Sequence, residues 1–183
     1  MSTPDLTEPG RAEIAALAVE AEPTASSARH GRRILAAWAS AARPHQWSKN
    51  AVIFAPVALG WKQVTPSGVL AMAITAVLFC ALSSLSYIVN DVADMAADRR
   101  HPSKRHRPFA SGVLPAWQGL LAAGAGIPLV LVLAWLVSPA VAVALTAYCA
   151  LTFAYSAGLK RAAIVDCVVI GALFTLRVVA GVA

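Results

Sequence analysis

Charge is scarce in this chain: of 183 residues only 13% are Asp, Glu, Lys or Arg, against about 25% in ordinary soluble proteins. With 58% hydrophobic residues, that deficit excludes a soluble globular domain and points to an integral membrane protein. Cysteine is also rare. Cys80, Cys149 and Cys167 stand far apart within apolar stretches, which gives neither a disulfide framework nor zinc-ligand spacing. The N-terminal 33 residues contain no apolar run long enough for the core of a signal peptide. Basic clusters interleaved with aromatics along a groove are lacking too, which argues against nucleic acid as a partner.

The charge that is present is unevenly placed. Residues 1–33 carry Arg11, Arg29, Arg32 and Arg33 against Asp5, Glu8, Glu13, Glu20 and Glu22, which leaves eleven of the fifteen bases but four of the nine acids for residues 34–183. Residues 1–33 read as a flexible cytoplasmic tail, and 34–183 as one transmembrane helical bundle without an internal repeat or a second soluble domain. Arg29, Arg32 and Arg33 introduce Ile34–Trp38, expected to enter along the membrane interface with Trp38 at headgroup depth.

Apolar run lengths set the expected spans. A first span follows the polar cluster Arg43-Pro44-His45-Gln46-Trp47-Ser48-Lys49-Asn50, starting with the run Ala51–Gly60. Val69–Val89 is the second, long enough at about 1.5 Å per residue to cross a core of about 30 Å. The 52 uncharged residues between Arg107 and Lys160 exceed one span, and Ser138-Pro139 supplies the break. That predicts spans near Pro115–Val137, with a kink at Pro128, and Ala140–Gly158. A fifth begins at Ala162 and carries Asp166 and Arg177, about three turns apart, aligned on one face but too distant to pair directly. The fold class expected is therefore an all-α integral membrane bundle with about five spans.

Bases cluster at Arg29–Arg33, at Arg99–Arg107 and at Lys160-Arg161, whereas the opposite connections hold only Lys62 and Ser138-Pro139. All three basic regions fall on one side, which the positive-inside rule makes cytoplasmic.

Residues 90–108 hold three of the nine acids and five of the fifteen bases. On a continuous helix Asp91, Asp94 and Asp98 would lie within about 60° of one another, and like charges stacked on one face repel. Mg²⁺, a hard cation held by carboxylates together with substrate phosphates, would relieve that repulsion. The alternative is a solvated face in which Asp94 and Asp98 pair with Arg99, Arg100 and Lys104. Arg43, Gln46, Lys49 and Asn50 are costly against lipid and are expected to face the bundle interior or the headgroups.

Asn90-Asp91-x-x-Asp94-x-x-x-Asp98, followed by Lys104 and Arg107-Pro108, resembles the first aspartate-rich motif of the UbiA superfamily of membrane prenyltransferases, and continues into Ser111-Gly112-Val113-Leu114-Pro115. Arg43-Pro44-x-Gln46-Trp47-x-Lys49-Asn50, His101-Pro102-x-Lys104-Arg105, Tyr155-Ser156-x-x-Leu159-Lys160 and Leu176-Arg177-x-x-Ala180-Gly181 are similar to its polyprenyl-phosphate (decaprenyl-phosphate) phosphoribosyltransferase branch. The resemblance implies transfer of 5-phosphoribose from phosphoribosyl diphosphate to a polyprenyl phosphate, for cell-wall arabinan precursors. It also implies a plasma-membrane location with the site facing the cytoplasm, and leaves room for a homo-oligomer.

In that scheme Asp91, Asp94 and Asp98 are the catalytic, Mg²⁺-holding residues. Arg43, Gln46, Lys49, Asn50, Asn90, Lys104, Arg107, Tyr155, Lys160, Asp166 and Arg177 bind substrate. Members have nine transmembrane helices and a second aspartate motif, whereas this chain stops within its fifth, so the resemblance implies a fragment, a truncated product, or completion of the fold from elsewhere. Two rivals remain, an aromatic prenyltransferase making quinone precursors and a non-catalytic membrane fragment.

Overall fold

The structure, a computed structural model, describes residues 27–58, 65–157 and 163–182. The chain divides between residues 37 and 38 into two units. Residues 27–42 are helical (α1), and in the first unit Arg29, Arg32 and Arg33 are exposed.

In the second unit a 3-10 helix, Pro44–Phe54, leads into the single turn α2, Ala55–Ala58. The expected first span is thus not one regular α-helix over 44–58; Gly60 lies outside the described residues. Pro44 sits at the start of the 3-10 segment, where its missing N–H costs nothing. The other apolar runs form helices close to the expected bounds. They are α3 (Pro66–Ala93), α5 (Ala116–Val137), α6 (Pro139–Ala157) and α7 (Ala163–Val182), with a short α4 (Met95–Asp98) after α3. Ser138 is extended and Pro139 opens α6, so the predicted break falls there. Pro128 lies inside a continuous α5.

Local chemistry explains the ends. Thr65 caps α3 by accepting the Gly68 N–H at 3.2 Å, with Pro66 in the first turn. Within the helices, hydroxyls find partners one turn back: Ser83 donates to the Phe79 carbonyl, Ser86 to Leu82 and Thr146 to Ala142. That lets polar side chains lie between apolar helices without an open hydrogen bond.

Among the described residues three helices, α3, α5 and α6, are long and apolar enough to cross a membrane, and Cys167–Val182 of α7 is a shorter apolar stretch. The chain is a multi-pass, all-α membrane bundle. Leu121, Leu129, Val132, Trp135 and Leu136 of α5 are exposed, as suits a helix surrounded by lipid. The core lies where α3, α5, α6, α7 and the 3-10 helix meet, around Phe79, Leu82, Leu145, Ile53 and Tyr148. Backbones approach closely at α7, where a Cβ on Gly181 would run into the Ile53 carbonyl.

Candidate active site at the polar end of the bundle

The charged motif is positioned from three directions. α3 ends at Ala93, and Asp94 (φ −85°, ψ 0°) forms a turn before α4. The three aspartates therefore do not ride one uninterrupted helix. Asp91 and Asp98 are each 3% exposed, while Asp94 is exposed. After α4 the chain folds back through turns: Arg99 Nε donates to the Ala110 carbonyl, Leu114 N–H to the Pro108 carbonyl, and Gly112 takes the positive φ of 80° that the reversal needs. Phe109 is fully buried and packs edge-on against Trp38 at 6.2 Å, which fixes Arg107 beside it.

Arg107 Nη1 donates to both Asp91 Oδ1 (3.1 Å) and Asp98 Oδ2 (2.7 Å). Arg43 Nη2 donates to the same Asp91 oxygen at 2.6 Å, and its guanidinium lies 4.8 Å from the Tyr87 ring centroid. Arg43 is the one non-glycine among the described residues with positive φ (51°), a conformation that costs energy and is held by its surroundings. Those surroundings include Trp47, whose indole donates to Ser84 Oγ at 3.0 Å, while Ser84 donates to the Ala42 carbonyl at 2.8 Å.

One alternative and one expectation need correction. Asp98 pairs with Arg107 and not with Arg99, Arg100 or Lys104, because the fold-back brings Arg107 underneath it while Arg99 is spent on a carbonyl. The three carboxylates also do not converge into one ligand cluster: among the described residues no three His, Cys, Asp or Glu side chains form a metal-binding group. Repulsion is relieved instead by the turn at Asp94 and by Arg107 shared between Asp91 and Asp98.

A cavity of about 240 Å³ opens at this end, lined by Arg43, Tyr87, Asn90, Asp91, Asp94, Lys104, Arg107, Tyr155 and Ser156, among others. Asp91, Asp94 and the Asn90 amide line it together, and carboxylate oxygens are the ligands that Mg²⁺ usually shares with substrate phosphates. A second cavity of about 270 Å³ is lined by Lys49, Ser83, Ser86, Tyr148, Thr152, Leu173, Phe174 and Arg177, and shares Tyr87, Asn90, Tyr155 and Ser156 with the first.

Of the residues expected at the site, Arg43, Asn90, Asp91, Asp94, Lys104, Arg107 and Tyr155 meet on the first cavity, and Lys49 and Arg177 on the second. Asn50 lines neither cavity; buried at 2% exposure, it accepts from Arg177 Nε at 2.8 Å and donates to Cys80 Sγ. Gln46 is half-buried and also lines neither. Lys160 lies outside the described residues, as does the side chain of Asp166. Tyr87 and Tyr148 were missed. Tyr87 stands one turn before Asp91 and Tyr148 two turns before Tyr155, so helical spacing was the signal available.

A polar cavity with paired Asp and Arg thus lies at one end of an apolar helix bundle of membrane type. Residues 50–183 match the UbiA prenyltransferase family, and the chain belongs to it. It is similar to decaprenyl-phosphate phosphoribosyltransferase of Mycolicibacterium smegmatis, 34% identical over 166 residues, covering 88% of this chain and 51% of the relative. The corresponding enzyme of Corynebacterium glutamicum is 39% identical over 145 residues, covering 77% of this chain and 44% of the relative. An uncharacterized protein of Sinorhizobium fredii is 43% identical over 144 residues, covering 79% of this chain and 28% of that protein. The chain thus spans about half, or less, of the length of the curated relatives it matches.

Proposed function

We propose that the protein transfers 5-phosphoribose from phosphoribosyl diphosphate to a polyprenyl phosphate, decaprenyl phosphate by likeness to its relatives, with release of diphosphate. The observation that supports this most is the Arg43–Asp91–Arg107–Asp98 ion cluster on a cavity that also presents Asp94 and Lys104. Arg43, Lys104 and Arg107 would donate to donor phosphate oxygens, as arginine forks and lysines do in phosphate sites. Asp91 and Asp94 would hold Mg²⁺, whose contribution when bound is to neutralise charge on the diphosphate. An oxygen of the lipid phosphate forms the new bond to ribose C1 while the bond from C1 to the diphosphate oxygen breaks, and the diphosphate leaves with the electron pair. No protein nucleophile is required; the chain's own residues bind, orient and hold charge.

The basic side of the bundle would face the cytoplasm of the plasma membrane, and the product would feed arabinan precursor synthesis for the cell wall. The test is to incubate membranes containing the protein with a polyprenyl phosphate acceptor and radiolabelled phosphoribosyl diphosphate, and in parallel with labelled prenyl diphosphate and an aromatic acceptor. Label entering the lipid phase from the ribosyl donor alone is the expected result. Transfer from the prenyl donor alone would establish an aromatic prenyltransferase instead.

A further inference from the structure

Arg43 holds an uncommon left-handed backbone conformation, φ 51° and ψ 58°, and the peptide planes on both sides of it are anchored. On its C-terminal side the Gln46 N–H donates to the Arg43 carbonyl at 2.9 Å. On its N-terminal side the Ala42 carbonyl accepts from Ser84 Oγ at 2.8 Å, and because that carbonyl shares a rigid plane with the Arg43 nitrogen, anchoring it restrains φ of Arg43. Ser84 differs here from Ser83, Ser86, Thr146 and Thr175. Each of those hydroxyls donates to the carbonyl one turn back in its own helix, whereas the Ser84 proton leaves α3 for the peptide before Arg43. The Trp47 indole accounts for that direction: its N–H can only donate, at 3.0 Å to Ser84 Oγ, so the hydroxyl accepts there and turns its single proton to Ala42.

The same face of α3 receives the side chain. Tyr87 and Asp91 follow Ser84 by three and seven residues, so all three lie along one stripe of the helix. The Arg43 guanidinium lies 4.8 Å from the Tyr87 ring centroid, and its Nη2 donates to Asp91 Oδ1 at 2.6 Å on the lining of the first cavity. Successive turns of α3 thus fix the peptide, the plane and the charge of one arginine. A right-handed or extended backbone at residue 43 would send the side chain elsewhere, since side chain and peptide planes meet at one tetrahedral carbon. We propose that Trp47 and Ser84 are positioning residues, which hold Arg43 in its left-handed conformation and thereby aim its guanidinium at the phosphates of the donor. This rests on the phosphoribosyl reading, in which Arg43 contacts the donor diphosphate. Neither Trp47 nor Ser84 lines the two cavities, so their effect passes through Arg43.

The protein in lipid nanodiscs can be titrated with Mg²⁺-phosphoribosyl diphosphate and, separately, with Mg²⁺-diphosphate. The variants are Ser84→Ala, Ser84→Thr, Trp47→Phe, Ser48→Ala, Arg43→Gln, and Ser84→Ala combined with Arg43→Gln. Alanine suits a helix and phenylalanine keeps an aromatic ring, so Ser84→Ala and Trp47→Phe carry the test without threatening the fold. Each is expected to weaken both ligands about threefold to tenfold, through loss of the hydrogen bonds that hold the arginine. Ser84→Thr, which keeps the hydroxyl, should stay within about twofold of the parent. So should Ser48→Ala, which removes an exposed bond to the His45 carbonyl in the same 3-10 helix. Added to Arg43→Gln, Ser84→Ala should change affinity by less than about twofold, because the group it positions is already gone. A loss in that background as large as in the parent would overturn the proposal, as would Ser84→Ala and Trp47→Phe variants that bind like the parent, or Ser84→Thr as weak as Ser84→Ala. Diphosphate binding that shows this coupling of Ser84 to Arg43, without any binding of phosphoribosyl diphosphate, would sustain the positioning and reject the functional reading. A parent that binds neither ligand would overturn both.

Discussion

Arg177 Nε donates to Asn50 Oδ1 at 2.8 Å, tying α7 to the 3-10 helix across 127 positions of sequence. Asn50→Leu would remove the acceptor and leave a buried guanidinium short of a partner. A loss of about 1–3 kcal/mol is expected, read as a lowered midpoint in detergent or thermal unfolding. Asn50→Asp should keep the bond and supply a counter-charge; stability at or above that of the parent is the expected outcome.

Asp91 and Asp94 should separate structure from chemistry. Asp91 is buried between two arginines, so Asp91→Asn should lower both stability and activity. Asp94 is exposed, and Asp94→Asn should change stability by no more than about 0.5 kcal/mol while removing most activity. Equal effects of the two on unfolding would contradict this division.

Much of the scaffold was legible because a membrane span needs length and apolarity. Val69–Val89 and Pro115–Val137 lie within a few residues of α3 and α5, and Ser138-Pro139 marks the break before α6. The segment after Arg43 was not legible in that way, since its apolar residues are wound as a 3-10 helix and a single α-turn. The aspartate spacing presupposed a helix continuing through Asp94; the turn there defeats it, and periodicity carries no sign of such a turn. Partners were the least accessible. Arg43 meets Asp91 across 48 positions, and Arg177 is satisfied by Asn50 and Tyr148 from other elements, contacts that only packing reveals.

Close packing at the far end gives a third prediction. A Cβ at residue 181 would meet backbone, which cannot rotate away, so Gly181→Ala should cost about 1–3 kcal/mol through forced separation of α7 from the 3-10 helix. Gly124, with open space at its Cβ, is the control: Gly124→Ala should be neutral or slightly stabilising by helix propensity. The comparison is read from unfolding midpoints of the two variants.

The proposed orientation rests on the charge asymmetry. With Cys80, Cys149 and Cys167 replaced, a cysteine at Ser103 should react with an impermeant thiol reagent only from the cytoplasmic side. One at Ser138, between α5 and α6, should react only from outside. Labelling of residue 103 from outside would reverse the topology.

The most direct test of the central claim is equilibrium binding of radiolabelled phosphoribosyl diphosphate to the purified protein, with and without Mg²⁺, for the parent and the Asp91→Asn/Asp94→Asn double variant. Saturable, Mg²⁺-dependent binding by the parent, weakened at least about tenfold in the double variant and abolished by chelation, is the predicted result. Undiminished Mg²⁺-dependent binding by the double variant would contradict the assignment of Asp91 and Asp94 to the donor site.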